Sequence, residues 1–122
     1  VPPAGRAMSV TIFHNPACSK SRATLALIRE AGVEPRIVRY LETPPDRARL
    51  EGLLAAMGLS PRELLRRGEA AHAELGLADP TLGDAQLIEA MLAHPRLIER
   101  PIVVRGERAV LGRPPENVLE LL

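Results

Sequence analysis

The only cysteine of the 122-residue sequence, Cys18, lies in a polar loop that runs from Asn15 to Arg22. Residues before this loop favour a strand and residues after it favour a helix, so the thiol is expected at a helix start. A helix start presents unpaired N–H groups and about half a positive charge to an anion. A free thiol with a pKa of about 8.5 is only about 3% ionised at neutral pH, and such a position raises that fraction. Cys18 is therefore predicted to be a nucleophilic thiolate rather than a small buried apolar side chain.

Charged side chains close to Cys18 in the sequence could strengthen this effect. Lys20 and Arg22 supply cations, and His14 could donate a hydrogen bond or a charge. Lys20 is the only lysine among 16 basic residues, and the other 15 are arginines. Arginine carries a planar fork of donors that binds oxyanions with two hydrogen bonds, although a general preference for arginine accounts for most of the fifteen. A small oxyanion is the expected substrate.

Composition argues against several other classes of protein. A net charge of +1 and only two aromatic residues, Phe13 and Tyr40, argue against nucleic acid as a partner. One cysteine and three scattered histidines do not suffice for a zinc site or an internal disulfide, so no metal and no bound cofactor are expected. Without a membrane-spanning run or a signal peptide, the lone thiol indicates a cytoplasmic protein with no membrane partner. Residues 1–7 are expected to be a leader or an expression remnant.

Hydrophobic periodicity predicts the elements that position the loop. Strands are predicted at Val10–His14, Arg36–Tyr40, Ile102–Val104 and Ala109–Leu111, the last two forming a hairpin. Helices are predicted at Ser19–Ala31, from Thr43 as the N-cap to Gly58, from Ser60 to near Gly68, at Asp84–His94 and at Asn117–Leu122. This order predicts one α/β domain over residues 8–122, with a four-stranded mixed sheet and a helical insertion at about 44–98.

Several motifs, taken in chain order, are similar to those of a known family. The stretch His14-Asn15-Pro16-Ala17-Cys18-Ser19-Lys20-Ser21-Arg22 resembles the active-site loop of the glutaredoxin-coupled arsenate reductases, the ArsC family of the thioredoxin-like ArsC/Spx superfamily. Similar segments follow at Tyr40–Pro45, Arg62–Arg66, Glu99–Val104 and Gly112–Pro114. The resemblance extends from Ser9 to Leu122 and implies a thioredoxin-like fold.

The resemblance also implies roles for individual residues. Its catalytic positions match Cys18, His14 and Ser21. Its oxyanion-binding positions match Arg66, Arg100 and Arg113. Pro101 matches the cis-proline loop that lies beside the active cysteine of thioredoxin-like proteins. The remaining arginines, His72 and His94 are interpreted as surface residues.

The resemblance implies a reaction that needs partners. The Cys18 thiolate attacks arsenic(V), glutathione adds to the adduct, and glutaredoxin removes the glutathione as arsenic is reduced and leaves as arsenite. An external thiol is obligatory because the chain has no second cysteine. The expected partners are arsenate or a similar oxyanion, glutathione as co-substrate and glutaredoxin, and the expected state is a monomer.

Two alternative functions stay open from the sequence. The loop has Ser19-Lys20 where the best-known arsenic-resistance enzymes of the family have Gly-Thr, so a general glutathione-linked thiol reductase is the alternative within enzymes. Related proteins of the Spx type are transcription regulators that bind RNA polymerase, and many carry a Cys-x-x-Cys switch. Ser21 occupies the second position of that motif here, which favours the enzyme.

Overall fold

The computed structural model describes residues 9–122, so the expectation for residues 1–7 lies outside the described part of the chain. The strands are β1 (Val10–Phe13), β2 (Arg36–Val38), β3 (Ile102–Arg105) and β4 (Arg108–Leu111). The α-helices are α1 (Ser19–Glu30), α2 (Arg47–Met57), α3 (Pro61–Leu64), α4 (Ala70–Glu74) and α5 (Asp84–Ala93). Two 3₁₀ segments span Pro95–Leu97 and Pro115–Leu121. The predicted final α-helix is thus a 3₁₀ helix, which the structure starts two residues earlier than expected.

The four strands form one mixed sheet in the order β2-β1-β3-β4. β1 runs parallel to β2 and antiparallel to β3, and β3 pairs with β4 as a hairpin. Ile12 of β1 faces Val103 of β3, and both side chains are fully buried. β-branched residues favour strands because their side chains pack well on a pleated surface. The predicted four-stranded mixed sheet is confirmed.

α1 connects the two parallel strands and packs on the sheet through one apolar face. Leu25 and Ile28, three positions apart on that face, belong to a core cluster with Val118 and Leu121 of the C-terminal 3₁₀ helix. The helix ends at Glu30, and Gly32, two residues further on, has a φ of +83°, which favours glycine. Because α1 is fixed by this core, its N-terminus holds Cys18 in a defined place at the end of β1.

The helices between β2 and β3 begin and end partly at other residues than predicted. α2 begins after Asp46, whose side chain accepts a hydrogen bond from the Arg49 N–H, so Asp46 and not Thr43 is the N-cap. The capping box of Ser60 and Glu63 is present, as predicted. That helix ends at Leu64 rather than near Gly68, and the sequence pattern did not predict α4.

The described chain forms two compact units. One comprises the residues up to Thr43 together with Arg100–Leu122, which includes the sheet, and the other is Pro44–Glu99. The second unit has its own buried side chains, among them Leu50, Leu53, Leu64, Leu87 and Met91. His72 is buried in this unit at 8% exposure, so its interpretation as a surface residue is wrong.

Candidate active site

Cys18 is the N-cap residue of α1, at the point where the loop after β1 becomes helical. Its N–H donates to the Asn15 carbonyl at 3.0 Å, and its own carbonyl accepts from the Arg22 N–H at 3.0 Å. The buried Asn15 side chain shapes the same turn, because its Oδ1 accepts from the Ala17 N–H at 3.0 Å. These bonds satisfy the loop backbone and leave the thiol partly exposed at the helix start.

The surroundings of Cys18 favour its negative form. Burial raises the pKa of the thiol, but hydrogen bonds from the Ser21 N–H, the Arg100 side chain and the Lys20 N–H, with the charge of Arg100, lower it overall. The cation beside the sulfur is therefore Arg100, which is distant in sequence. The expectation that the side chains of Lys20 and Arg22 act here is wrong, because Lys20 contributes its backbone N–H and Arg22 donates to the Pro16 carbonyl at 2.8 Å.

His14 and Ser21 form a buried pair behind the loop. The His14 Nδ1 lies 2.6 Å from the Ser21 Oγ, which also accepts from the Asn15 N–H at 3.1 Å. Burial, followed by the charges of Arg39, Arg29 and Arg22, lowers the pKa of His14. His14 is therefore suited to hydrogen bonding as a neutral ring, and the alternative that it supplies positive charge to the thiol is not favoured.

The segment that carries Arg113 is hydrogen-bonded to the segment that carries Arg100. The Arg113 Nη1 donates to the Arg100 carbonyl at 3.2 Å, and the Gly112 N–H donates to the Pro101 carbonyl at 2.8 Å. The peptide bonds before Pro101 and Pro114 are both cis. The Arg100 Nε is buried and donates to no atom within residues 9–122. A buried donor without an acceptor is costly, so this nitrogen is suited to an anion that enters the site.

Arg66, the third arginine expected to bind an oxyanion, lies in the unit Pro44–Glu99. Its Nη1 pairs with a Glu99 carboxylate oxygen at 3.3 Å, and its Nε lies 3.9 Å from a Glu69 carboxylate oxygen. That Nε is also buried and makes no hydrogen bond within the described chain. The two carboxylates hold the guanidinium in place, and its role in anion binding stays a prediction.

Sequence reasoning missed the importance of two small residues, Gly112 next to Arg113 and Thr24 on α1. A Cβ added at Gly112 would lie 2.6 Å from the Thr24 Oγ1 and 2.9 Å from the Pro101 Cγ, closer than side-chain atoms normally approach. Thr24 is fully buried on α1, and its Oγ1 donates to the Lys20 carbonyl at 2.8 Å. Gly112 therefore lets the segment that carries Arg113 lie directly against the helix that carries Cys18. The Gly-Arg-Pro motif was the only signal for this close approach.

Two general features of the described residues bear on function. Within residues 9–122, no helix is long and apolar enough to cross a membrane. The same part of the chain has no group of three or more His, Cys, Asp or Glu side chains that could hold a metal ion.

Comparison with known proteins gives consistent matches over nearly the whole chain. The model of the ArsC family matches residues 13–121. An arsenate reductase of Rhizobium meliloti (strain 1021) is 54% identical over 94% of this chain and 82% of its own length. The uncharacterized protein YfgD of Escherichia coli (strain K12) is 55% identical, over 93% of this chain and 96% of its own length.

Solved structures match equally well. The structure of an arsenate reductase from Vibrio cholerae superposes with a TM-score of 0.91 at 51% identity, covering 94% of this chain and 98% of that one. This likeness confirms the thioredoxin-like fold with a helical insertion that the motifs implied.

Proposed function

This chain belongs to the ArsC family, and on that premise we propose that it reduces arsenate to arsenite through the Cys18 thiolate. One observation carries the proposal: the only cysteine lies at a helix start, beside Arg100, where its pKa is lowered. Relatives that are 54% identical to this chain are named arsenate reductases. The fold, the thiol and the family thus favour the same enzyme activity.

Attack on arsenate requires that two negative partners approach each other. Arsenate at neutral pH is a multiply charged tetrahedral anion, so guanidinium groups must stabilise the charge on its oxygens as the sulfur approaches. We assign this role to Arg100, and two observations support it: Arg100 lies beside the thiol, and its buried Nε has no acceptor within residues 9–122. Arg113, whose Nη1 donates to the Arg100 carbonyl, is assigned the same role by its family position. We assign Arg66 the same role by its family position.

The proposed reaction balances with two external thiols. The Cys18 sulfur bonds to arsenic(V) and one oxygen leaves as water. The glutathione sulfur then bonds to the same arsenic and a second oxygen leaves as water. A glutaredoxin thiolate attacks the glutathione sulfur, the S–As bond breaks, and its electron pair reduces arsenic to the trivalent state. Water then displaces Cys18 and releases arsenite, so the net reaction consumes arsenate and two thiols and gives arsenite, one disulfide and one water.

Glutathione and glutaredoxin are part of the proposal because the chain supplies no second thiol. A thiolate that must be regenerated by external thiols works only in a reducing compartment, which supports a cytoplasmic location. His14 and Ser21 are proposed to keep the loop in its conformation, since their buried contact of 2.6 Å lies directly behind it. Pro101 is proposed to fix the chain next to Cys18, and the protein is proposed to act as a monomer.

A coupled assay tests the proposed function. NADPH oxidation is followed with glutathione reductase, glutathione and glutaredoxin, with and without arsenate, for the wild type and for Cys18→Ser. We expect arsenate-dependent oxidation with the wild type and none above background with Cys18→Ser. The same assay without glutaredoxin, which would itself reduce the disulfide, and with a mixed glutathione disulfide in place of arsenate tests the thiol-reductase alternative. If the protein turns over the disulfide but not arsenate, the disulfide is its substrate. Arsenate turnover that survives in Cys18→Ser would contradict the proposal.

A further inference from the structure

Asn117 makes contacts that the proposed reaction does not use. It lies in the C-terminal 3₁₀ helix, and its side-chain amide Nδ2 donates to two backbone carbonyls, that of Leu111 at 3.1 Å and that of Arg113 at 3.2 Å. Its backbone N–H donates to the Pro114 carbonyl at 3.0 Å. An amide has two N–H hydrogens, so one side chain can satisfy both carbonyls at once. Asn117 thereby closes the turn that carries Arg113.

The helix that carries Asn117 is anchored to the same core as the thiol. Val118 is fully buried and Leu121 is 4% exposed, and both belong to one apolar cluster with Leu25 and Ile28 of α1. Cys18 is the N-cap residue of α1. The amide of Asn117 is therefore fixed relative to the helix that positions the sulfur.

From this anchor, a continuous series of hydrogen bonds leads to the cation beside Cys18. The turn held by Asn117 contains Arg113, whose Nη1 donates to the Arg100 carbonyl at 3.2 Å. The adjoining Gly112 N–H donates to the Pro101 carbonyl at 2.8 Å. The backbone on both sides of the bond between Arg100 and Pro101 is thus held by the turn that Asn117 closes. The Arg100 side chain in turn lies beside Cys18, where it lowers the pKa of the thiol by hydrogen bonding and by its charge.

We propose that Asn117 is a positioning residue: its amide holds the Arg113 turn, the turn holds the backbone of Arg100, and the Arg100 guanidinium therefore stays beside the Cys18 sulfur. The effect on arsenate turnover rests on the proposed function, whereas the effect on the thiol does not. Asparagine suits the position because its short side chain presents two donors to two carbonyls. Aspartate has the same shape but would place a charged oxygen against both of them.

The reactivity of Cys18 tests the proposal without any substrate. The rate of alkylation by iodoacetamide is measured from pH 5.5 to pH 10 for the wild type, Asn117→Ala and Asn117→Gln. We expect Asn117→Ala to react about fivefold more slowly at pH 6.5, the effect of one ordinary hydrogen bond. The rates should converge at pH 10, where the thiol is ionised in every variant. Asn117→Gln retains the amide and should recover part of the lost rate.

A double variant distinguishes positioning from a general loss of structure. If Asn117 acts through Arg100, Asn117→Ala lowers the rate in the wild type but not in an Arg100→Ala background. Glu120→Gln, an exposed change in the same 3₁₀ helix, is the matched control and should leave the rate unchanged. Thermal unfolding of each variant shows that it is folded at the assay temperature, and Asn117→Ser replaces Asn117→Ala if the alanine variant is not.

Two results would overturn the proposal: an unchanged alkylation rate in a folded Asn117→Ala protein, or effects of Asn117→Ala and Arg100→Ala that simply add. The KM for arsenate, measured in the coupled assay, should rise about fivefold in Asn117→Ala, again the effect of one hydrogen bond. If the wild type does not turn over arsenate, the proposed function fails, while the alkylation rates still decide the role of Asn117.

Discussion

Two segments surround the thiol, and they act on it by different means. The local segment from His14 to Arg22, which includes the first turn of α1, is contiguous with Cys18 and contributes backbone N–H groups, from Ser21 and Lys20. The segment from Arg100 to Arg113 is more than 80 positions further along the chain and contributes a guanidinium. Its position depends on the sheet, because β3 and β4 lie between its two arginines. The local loop therefore presents the sulfur, and the distant segment supplies the positive charge.

Replacing a cation from each segment tests this division most strongly. Arg100→Ala is expected to lower kcat/KM for arsenate about 100-fold, as for the loss of one donor that stabilises transition-state charge. It should also raise the pKa of Cys18, since a hydrogen bond and a charge that favour the thiolate are lost. Arg22→Ala removes an exposed side chain bound to the Pro16 carbonyl, and its kcat/KM for arsenate should stay within about twofold of the wild-type value. A larger loss in Arg22→Ala than in Arg100→Ala would reverse the assignment of the cation.

The same division explains what sequence alone could predict. The strand, loop and helix around Cys18 follow from contiguous patterns, and β1 and α1 lie within one residue of their predicted bounds. Sequence proximity instead indicated Lys20 and Arg22 as the cations, because nothing in the local pattern brings Arg100 to the sulfur. Only the family resemblance indicated Arg100. The donor role of Asn117 depends on a turn geometry that no periodicity reveals.

The helical unit shows a second limit of the same kind. Thr43 and Asp46 are both good N-cap residues, and the choice between them depends on where the chain turns after two prolines. α4 is only five residues long, too short for hydrophobic periodicity to predict. His72 is buried in that helix, which the sequence of so short a helix does not show.

A glycine pair tests how closely the distant segment must approach α1. Gly112→Ala places a Cβ 2.6 Å from the Thr24 Oγ1 and 2.9 Å from the Pro101 Cγ, so the segment has to move or strain. We expect the free energy of unfolding to fall by about 2–3 kcal/mol, in the range of overpacked cores. Gly52→Ala in α2 is the matched control, because its Cβ meets nothing within 4 Å and alanine favours helices by up to about 1 kcal/mol. Urea denaturation measures both, and equal effects would argue against a close approach at Gly112.

A serine pair tests the local loop in the same way. Ser21→Ala removes a fully buried hydroxyl that contacts the His14 Nδ1 and accepts from the Asn15 N–H. The free energy of unfolding should fall by about 1–2 kcal/mol, because buried polar groups are left without a partner. Ser19→Ala changes an exposed hydroxyl one residue after Cys18 and should change stability by less than about 0.5 kcal/mol. If the two variants unfold at the same urea concentration, the contact between His14 and Ser21 does not stabilise the loop.

The smallest expected effect concerns the pH dependence of stability that His14 contributes. Its pKa in the folded chain is lowered from 6.5 by burial first and then by three arginines. Below that pH the unfolded chain takes up a proton that the folded chain does not, so the free energy of unfolding falls as pH falls, by at most about 1.4 kcal/mol per pH unit. Urea denaturation at pH 7.5 and 5.5 should therefore show that the free energy of unfolding falls more for the wild type than for His14→Asn. The exposed His94 gives the matched control, His94→Asn. If the free energy of unfolding falls equally in the wild type and in His14→Asn, the loop does not keep this ring neutral. The positive charge near Cys18 would then no longer come from the distant segment alone.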